Sequence, residues 1–249
     1  MKMRILYNHH GCETAVKLAN EFRKEMNHDI LAVEEIGDDR VDLLIRWGSS
    51  KAVRRNPHNV LNTKNAVISA SNKYEMFEKL KSCGVSIPSF TRSKEIAFDF
   101  QKPVLGRKNA HSKGKDIVMC LENKDVTKST SDFWVRYIPT KEELRVYVYS
   151  GDVYCIMKKV FEDKDVYRWK TDWNTRVFTT ENDDLLRKIK EEAIKSINAL
   201  SLDFGAIDII IDDNNNIKVL EVNSAPQLWG LALKGFTRRI IEYVETLSN

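Results

Sequence analysis

The stretch AIDIIIDDNNNIKVLEVNSAP, residues 206–226, decides the fold of this 249-residue chain, since it holds two apolar segments separated by a polar turn. Residues 213–216 are turn-forming types, and four-residue loops are common in β-hairpins. A loop of these four residues places Asp208 directly opposite Glu221. Side chains alternate along a strand, so Asn223 shares a face with Glu221. A three- or five-residue loop would instead put an apolar residue opposite Asp208.

The opposed acids have two interpretations. Like charges directly across a strand pair are destabilising, so either both acids lie on a solvated face or a cation lies between them. The segments AIDIII and IKVLEVN are more apolar than a half-exposed hairpin usually is. Carboxylate and amide oxygens suit magnesium or manganese better than zinc. A metal site at this face is therefore one prediction, and a solvated face is the alternative.

The composition is that of an ordinary soluble protein, with 42% hydrophobic and 31% charged residues. A chain of this length can bury a large core as one domain or as two to three small ones. The formal net charge of +4 favours anionic ligands only weakly, and no RNA-binding signature occurs, so nucleic acid is not an expected partner. No apolar run approaches the ~20 residues of a membrane span, and no secretory signal is expected.

The four cysteines are widely scattered and lack a CxxC pair, so neither a zinc site nor a disulfide framework is expected. This cysteine usage predicts a cytoplasmic protein with reduced thiols.

The first 70 residues predict a small α/β domain. MRILYN reads as a strand, ETAVKLANEFRKEM as an amphipathic helix, and DILAVEE and VDLLIRWG as two further strands. Ligands usually bind in the strand-end crevices of open α/β sheets. The candidates at such positions here are His9, His10, Gly11, Arg46, Trp47 and Gly48. A packed strand end is the alternative for Arg46 and Trp47, and a surface loop is the alternative for His9 and His10.

A second unit, residues 71–133, begins with a helix for which Ser71 is the predicted N-cap and Gly84 the stop signal. KPVLGRKNAHSKGKDIVMC then predicts a strand, a polar loop and a strand. A third unit, residues 134–249, contains the strand-turn-strand segment ELRVYVYSGDVYCIMKKV, the helix DDLLRKIKEEAIKSINALS, the opening hairpin and a final helix, KGFTRRIIEYVETL. A polar segment with Trp169, Trp173 and Asn174 is predicted to cover the site of an acceptor substrate, and core packing is the alternative for the two tryptophans.

Cationic side chains recur on or beside the predicted strands, namely Lys73, Arg107, Arg145, Lys158 and Lys159. A lone basic residue in a strand usually lies on a solvated face. Beside a candidate metal site the same residues predict phosphate binding, because cations and metal together neutralise a polyanion. The loop at 109–115 is neither a Walker A motif nor a dinucleotide fingerprint. Its Gly114 still allows backbone N–H groups to approach a phosphate.

Taken in order, these elements resemble the ATP-grasp superfamily, and within it the RimK-type carboxylate–amine ligases, over about residues 71–240. The likeness rests on the segments NKYEMFEKLKSCGVSIP, PVLGRKNAHSKGKDIV, WVRYI, EELRVYV and FGAIDIII…KVLEVNSAP. The last of these is the specific one. The sequence departs from the family pattern in its glycine-poor flap, in Arg107 where lysine is common, in Arg136 where an acid is usual, and in Gln227 where the family has glycine.

The resemblance implies an α/β (α+β) protein with two α+β subdomains that clasp ATP, preceded by a small α/β domain. It implies catalytic roles for Arg145 and Arg107 and metal ligation by Asp208, Glu221 and Asn223. It further implies nucleotide contacts from Lys73, Arg107, Ser112, Gly114, Val135, Arg136, Tyr137, Ile138 and Lys159. The expected cofactors are ATP with Mg²⁺ or Mn²⁺.

The implied reaction joins a carboxylate-bearing small molecule or peptide to an amine, such as an amino acid, through an acyl phosphate, and releases ADP and phosphate. A small-molecule kinase on the same scaffold and a non-catalytic ATP-binding regulator are the alternatives. The resemblance also makes a homo-oligomer an expectation.

Overall fold

The computed structural model describes residues 1–8, 12–38, 40–55, 57–109, 117–161 and 173–248. The described residues form one parallel sheet and two antiparallel sheets, with helices packed against them. The predicted α/β (α+β) class is therefore confirmed.

The first sheet is parallel and has the strand order β2-β1-β3-β4. Its strands are β1 (Lys2–Tyr7), β2 (Asp29–Val33), β3 (Leu43–Trp47) and β4 (Asn59–Leu61), and helix α1 (Glu13–Glu25) follows β1. The predicted β-α-β start is confirmed. The sequence did not predict β4, because three residues that follow polar ones give no periodic signal.

The second sheet is antiparallel, in the order β5-β8-β6-β7. The elements of this region are α2 (Lys64–Ser71), α3 (Lys73–Ser82), β5 (Phe90–Thr91), α4 (Lys94–Phe98), β6 (Val104–Arg107), β7 (Val118–Cys120), α5 (Asn123–Lys128) and β8 (Phe133–Arg136). The predicted strands on either side of the polar loop are confirmed as β6 and β7. Helices α2, α4 and α5 were not predicted, because they are short.

The predicted N-cap of α3 is wrong by one residue. Ser71 is the last residue of α2, and its hydroxyl donates to the carbonyl of Ile68 at 2.8 Å. Asn72 caps α3 instead, because its side-chain oxygen accepts a hydrogen bond from the backbone N–H of Glu75 at 3.3 Å. Asparagine and serine are both good caps, so residue type alone could not separate the two positions.

The third sheet is antiparallel, in the order β11-β10-β9-β12-β13. Its elements and the helices beside it are β9 (Glu142–Tyr149), β10 (Asp152–Phe161), β11 (Trp173–Val177), α6 (Asp183–Ala199), β12 (Phe204–Ile211), β13 (Ile217–Asn223) and α7 (Gly230–Ser248). The predicted turn between β9 and β10 is confirmed. Ser150 and Gly151 adopt φ of 47° and 75° there, as a tight hairpin turn requires.

The hairpin of β12 and β13 has the predicted pairing at the acids but not the predicted loop. Ile211 pairs with Ile217, so the loop has five residues, and Asp212 stabilises it by accepting hydrogen bonds from the backbone of Asn214 and Asn216. A bulge next to Asp208 then shifts the register by one, and Asp208 pairs with Glu221. A bulge adds one unpaired residue to a strand, which offsets the extra loop residue.

The two faces of the third sheet pack against different partners. One face forms a core with α3 and α6, to which Val146, Ile207 and Val222 belong. The other face packs in part against the first sheet and α7, where Trp47 stacks on Phe204 at a ring distance of 5.3 Å. The first and third sheets therefore share one core. The boundaries at residues 70 and 133 stay predictions.

Within the described residues, no helix combines the length and the apolar character that crossing a membrane requires. All four cysteines are free thiols.

Candidate functional site

One face of the third sheet carries ionisable side chains at directly opposed positions of three neighbouring strands. Arg145 of β9 lies opposite Asp208 of β12, and Asp208 lies opposite Glu221 of β13. Lys159 of β10 joins them through its contact with Asp208. The structure thus brings together four residues that the sequence predicts for the site.

Asp208 is enclosed by two cations. Arg145 donates from Nε to Oδ1 and from Nη2 to Oδ2, both at 2.8 Å. Lys159 donates from Nζ to Oδ2 at 2.9 Å. A bidentate guanidinium–carboxylate pair is a strong and directional contact. Since Asp208 is only 6% exposed, this carboxylate is desolvated, and each of its oxygens accepts at least one hydrogen bond.

Glu143 extends this network and was not predicted from the sequence. Its Oε1 accepts a hydrogen bond from Lys159 Nζ at 2.5 Å, so the ammonium lies between Glu143 and Asp208. A signal for it was present, because Glu143 precedes Arg145 by two residues and strand alternation puts both on one face.

Two further cations reach the acids from a different part of the chain. Lys73, the first residue of α3, donates from Nζ to Glu221 Oε1. Arg107, the last residue of β6, has Nη2 at 4.0 Å from Glu221 Oε2. Both side chains are buried. Cations from the second unit therefore face carboxylates of the third sheet, and phosphate binding by these cations stays a prediction.

The charged side chains of the site shift the pKa values of one another toward the ionised forms of the acids. Burial alone would raise the pKa of Asp208, but Arg145 and Lys159 hold it well below its ordinary value. Burial likewise opposes ionisation of Glu221, yet Lys73 and Arg107 lower its pKa. Desolvation lowers the pKa of Arg107, an effect that Glu221 partly offsets. Both acids are therefore carboxylates at neutral pH.

The donor set fits a hard divalent cation such as Mg²⁺. Asp208 and Glu221 are directly opposed, and Asn223 lies two residues beyond Glu221 on the same strand. The Nδ2 of Asn223 is buried and has no hydrogen-bond partner among the described residues. Among all the residues that the structure describes, no group of three or more His, Cys, Asp or Glu side chains is placed to hold a metal. The candidate set consists of two carboxylates and one amide, whose oxygens are suitable ligands.

The predicted hinge, residues 135–138, has two side chains that lie away from the buried charges. Val135 is buried in the core, and the exposed Arg136 bonds Gln101 at 2.9 Å. Neither side chain joins the cluster around Asp208. Tyr137 and Ile138 are half-buried at the end of β8. Contact between this segment and the adenine base stays a prediction.

Several predicted residues lie outside the described part of the chain. These are Ser112 and Gly114 of the flap, His9, His10 and Gly11 after β1, and Trp169. Asn174 pairs with Val160 at the edge of the third sheet.

The end of β3 is a packed strand end. Trp47 is 2% exposed, and Arg46 donates from Nη1 to the carbonyls of Ser49 and Lys51 at 3.1 and 2.8 Å. Gly48 adopts φ +66°, and a Cβ at this position would lie 2.7 Å from the Cβ of Ala225. Arg46 and Trp47 therefore belong to a packed strand end, which was the alternative to substrate binding. Gly48 allows the end of β3 to approach the loop that follows β13.

A family profile described as the RimK-like ATP-grasp domain matches residues 86–243, which is more than half of the chain. Among curated proteins, none matches this sequence.

Solved structures are similar over nearly the whole chain. The ATP-grasp ligase PsnB complexed with minimal precursor has a TM-score of 0.70 at 13% identity, covering 97% of this chain and 99% of that one. N5-carboxyaminoimidazole synthetase from Staphylococcus aureus has a TM-score of 0.72 at 16% identity, covering 91% and 71%. D-alanine–D-alanine ligase from Bacillus anthracis has a TM-score of 0.71 at 13% identity, covering 97% and 92%. At identities this low, the TM-scores show a shared fold and nothing more. They confirm the predicted ATP-grasp fold.

Proposed function

The chain belongs to the RimK-like ATP-grasp family, and we propose that it is an ADP-forming carbon–nitrogen ligase that joins a carboxylate to an amine through an acyl phosphate. The carboxylate belongs to a small molecule or peptide, and the amine to a compound such as an amino acid. ATP supplies the phosphoryl group, and Mg²⁺ or Mn²⁺ accompanies it.

The observation that carries this proposal is the convergence of buried charges from two sheets on one place. Among the described residues, four cations, Lys73, Arg107, Arg145 and Lys159, contact three carboxylates, Glu143, Asp208 and Glu221. Buried cations that converge on one place favour a polyanion, and the hard oxygen donors favour a divalent cation with it.

Each residue has a task that follows from its position. Asp208, Glu221 and Asn223 would hold the metal ion, which when bound neutralises phosphate charge. Lys73 and Arg107, which reach Glu221 from α3 and β6, would hold the triphosphate. Arg145, fixed in orientation by its bidentate contact with Asp208, would stabilise charge on the transferring phosphoryl group.

The reaction has two steps. The substrate carboxylate attacks the γ-phosphorus and the bond from that phosphorus to the β–γ bridging oxygen breaks. The products of this step are ADP and an acyl phosphate. The amine then attacks the acyl carbon, and phosphate departs as the amine loses a proton. The first step brings the anionic carboxylate against the anionic triphosphate. Cations directed at the transferring phosphoryl group therefore supply most of the stabilisation of the transition state. A side-chain nucleophile of the protein is not needed.

The proposal is tested with ATP, Mg²⁺ and pooled amino acids and short peptides, by mass spectrometry of the products. Substrates labelled with ¹⁸O in the carboxylate are then used singly. We expect ADP release that requires both a carboxylate and an amine, and transfer of one ¹⁸O to the released phosphate. ADP release that requires only an alcohol would indicate a kinase. Nucleotide binding without turnover would indicate a regulator, and either result would reject the ligase.

A further inference from the structure

A cavity of about 700 Å³ lies beside the turn between β9 and β10, away from the candidate metal site. Residues of β4, of this turn and of α7 form its walls, and Tyr149, Asp203 and Tyr243 line it. Tyr149 follows Arg145 by four residues along β9, which separates the two places by roughly 13 Å. The buried Tyr147 lies between them on the same strand. The cavity is therefore distinct from the place where the buried charges converge.

Five charged residues line this cavity, and four of them pair with one another. Arg239 donates from Nη2 to Asp152 Oδ2 at 2.5 Å. Arg238 donates from Nε to Glu242 Oε1 at 2.8 Å. The fifth residue is Asp203, and within the described part of the chain no cation pairs with it. The cavity thus has one carboxylate without a counter-charge.

The Asp203 carboxylate is half-buried and held in place by the backbone. Its Oδ2 accepts a hydrogen bond from the N–H of Asn62 at 2.5 Å, and the Asn62 Oδ1 accepts one from the N–H of Asp203 at 2.8 Å. Desolvation raises the pKa of Asp203, and the hydrogen bond from Asn62 offsets only part of this effect. A desolvated carboxylate without a cationic partner is unfavourable, so a ligand that supplies a positive charge would be stabilised beside it.

Two phenol groups lie near this carboxylate. Burial raises the pKa of Tyr149, and the neighbouring Tyr243 and Asp203 raise it further, so the Tyr149 hydroxyl stays protonated at neutral pH. A neutral phenol has an oxygen that can accept a hydrogen bond. One carboxylate and two phenols are a poor set for Mg²⁺ or Ca²⁺, which require several more oxygen ligands. An ammonium group has three donors, which suits three acceptor groups.

We propose that this cavity binds a small molecule through a primary ammonium group, with Asp203 as its counter-ion and the hydroxyls of Tyr149 and Tyr243 as further acceptors. Small-molecule sites commonly measure about 300–1,000 Å³, a range that includes this cavity. The inference goes beyond the proposed ligase function and does not rest on it, since neither nucleotide nor metal takes part. The ammonium belongs either to an alkyl amine or to the α-amine of an amino acid or peptide, and the experiment separates these two sources.

The test follows the backbone amide signals of ¹⁵N-labelled protein by NMR, without nucleotide or metal, during titration with putrescine, L-alaninamide or 1,4-butanediol. Putrescine carries alkyl ammonium groups, L-alaninamide carries an α-ammonium, and 1,4-butanediol is an uncharged molecule of the same shape as putrescine. We expect saturable shifts at Asn62, Ser150 and Asp203 with at least one of the two amines, and none with the diol. Binding of only one amine would identify the source of the ammonium group.

Three variants test the role of Asp203. Asp203→Asn keeps an oxygen acceptor for the N–H of Asn62 but removes the charge, so we expect amine binding at least about tenfold weaker. Asp213→Asn makes the same chemical change in an exposed turn beyond the other end of β12, and its affinity should stay within about twofold of the wild type. Glu242→Gln removes a lining carboxylate that Arg238 already pairs, and its affinity should also stay within about twofold.

Each of the following results would overturn the inference: no saturable shift at these amides with either amine, equal binding of the diol, or unchanged amine affinity in Asp203→Asn. An equal loss in Glu242→Gln would overturn it as well, because the amines would then respond to general negative charge. Thermal denaturation checks folding, and Thr246→Trp replaces Asp203→Asn if that variant does not fold. Thr246 is exposed in the last turn of α7 and lines the cavity. The larger side chain should occupy the cavity and weaken amine binding about tenfold, and unchanged affinity would refute the inference.

Discussion

Replacing Asp208 by asparagine keeps the shape of the side chain and removes its charge. The structure predicts a large loss of stability, because Asp208 is 6% exposed and accepts three charge-assisted hydrogen bonds from Arg145 and Lys159. The amide of asparagine can accept only at its oxygen, and its NH₂ group would point at a donor. Two buried cations then lose their shared counter-charge, which costs about 3–5 kcal/mol.

Glu221→Gln is the informative comparison. The Glu221 side chain is 26% exposed, with a direct contact to Lys73 and a longer one of 4.0 Å to Arg107. Water can partly replace the lost charge there, so we expect a cost of about 1–2 kcal/mol, between the values for exposed and buried pairs. Both variants should lose Mg²⁺-dependent nucleotide binding.

Guanidinium denaturation of the wild type, Asp208→Asn, Glu221→Gln and Asp213→Asn measures these differences. Asp213 lies exposed in the turn of the same hairpin, so its variant makes the same chemical change and should stay within about 0.5 kcal/mol of the wild type. Equal destabilisation by Asp208→Asn and Glu221→Gln, or none by either, would refute the assignment of Asp208 as the more tightly paired carboxylate.

Further predictions concern the fold and its response to acid. Gly48→Ala should lower stability by about 1–3 kcal/mol in thermal denaturation, because of its positive φ and its close contact, whereas Gly37→Ala has nothing within 4 Å and should not. Trp47→Ala should cost about 3–5 kcal/mol, since the ring fills the shared core, and a cost below 1 kcal/mol would contradict that packing. The pKa values of Asp208 and Glu221 lie below their ordinary 3.8 and 4.5, so unfolding takes up protons and the stability they confer is lost as pH falls below about 4. The free energy of unfolding, measured by denaturation at several pH values from 6 to 3, should therefore fall less steeply with pH in Asp208→Asn than in the wild type. An unchanged pH dependence would argue against the pairing.

The sequence predicted the central pairing correctly, although by an incomplete route. Asp208 does lie opposite Glu221, but the loop has five residues and a bulge restores the register. Hydrophobic alternation and turn residues identify a hairpin and its faces. They do not reveal a bulge, because its cost and its benefit depend on the neighbouring strand and on packing against it.

The partners of the acids could not be predicted in the same way. The phosphate role of Arg145 stays a prediction, but its bidentate pair with Asp208, 63 residues away in the chain, was not predicted. Contacts of this kind follow from strand order, which no local pattern specifies. Trp47 illustrates the opposite case, because a tryptophan at a strand end is compatible with both a ligand site and a core, and only the packing of Phe204 and Phe236 decides between them.

The most direct test of the account is the position of Mn²⁺ in crystals of the protein grown with Mn²⁺ and a non-hydrolysable ATP analogue. We predict an anomalous-scattering peak within coordination distance of Glu221 and Asn223, with an oxygen of Asp208 beside it and the phosphates lying toward Lys73 and Arg107. A nucleotide bound elsewhere, or a nucleotide at this face whose Mn²⁺ peak lies away from all three residues, would contradict the account.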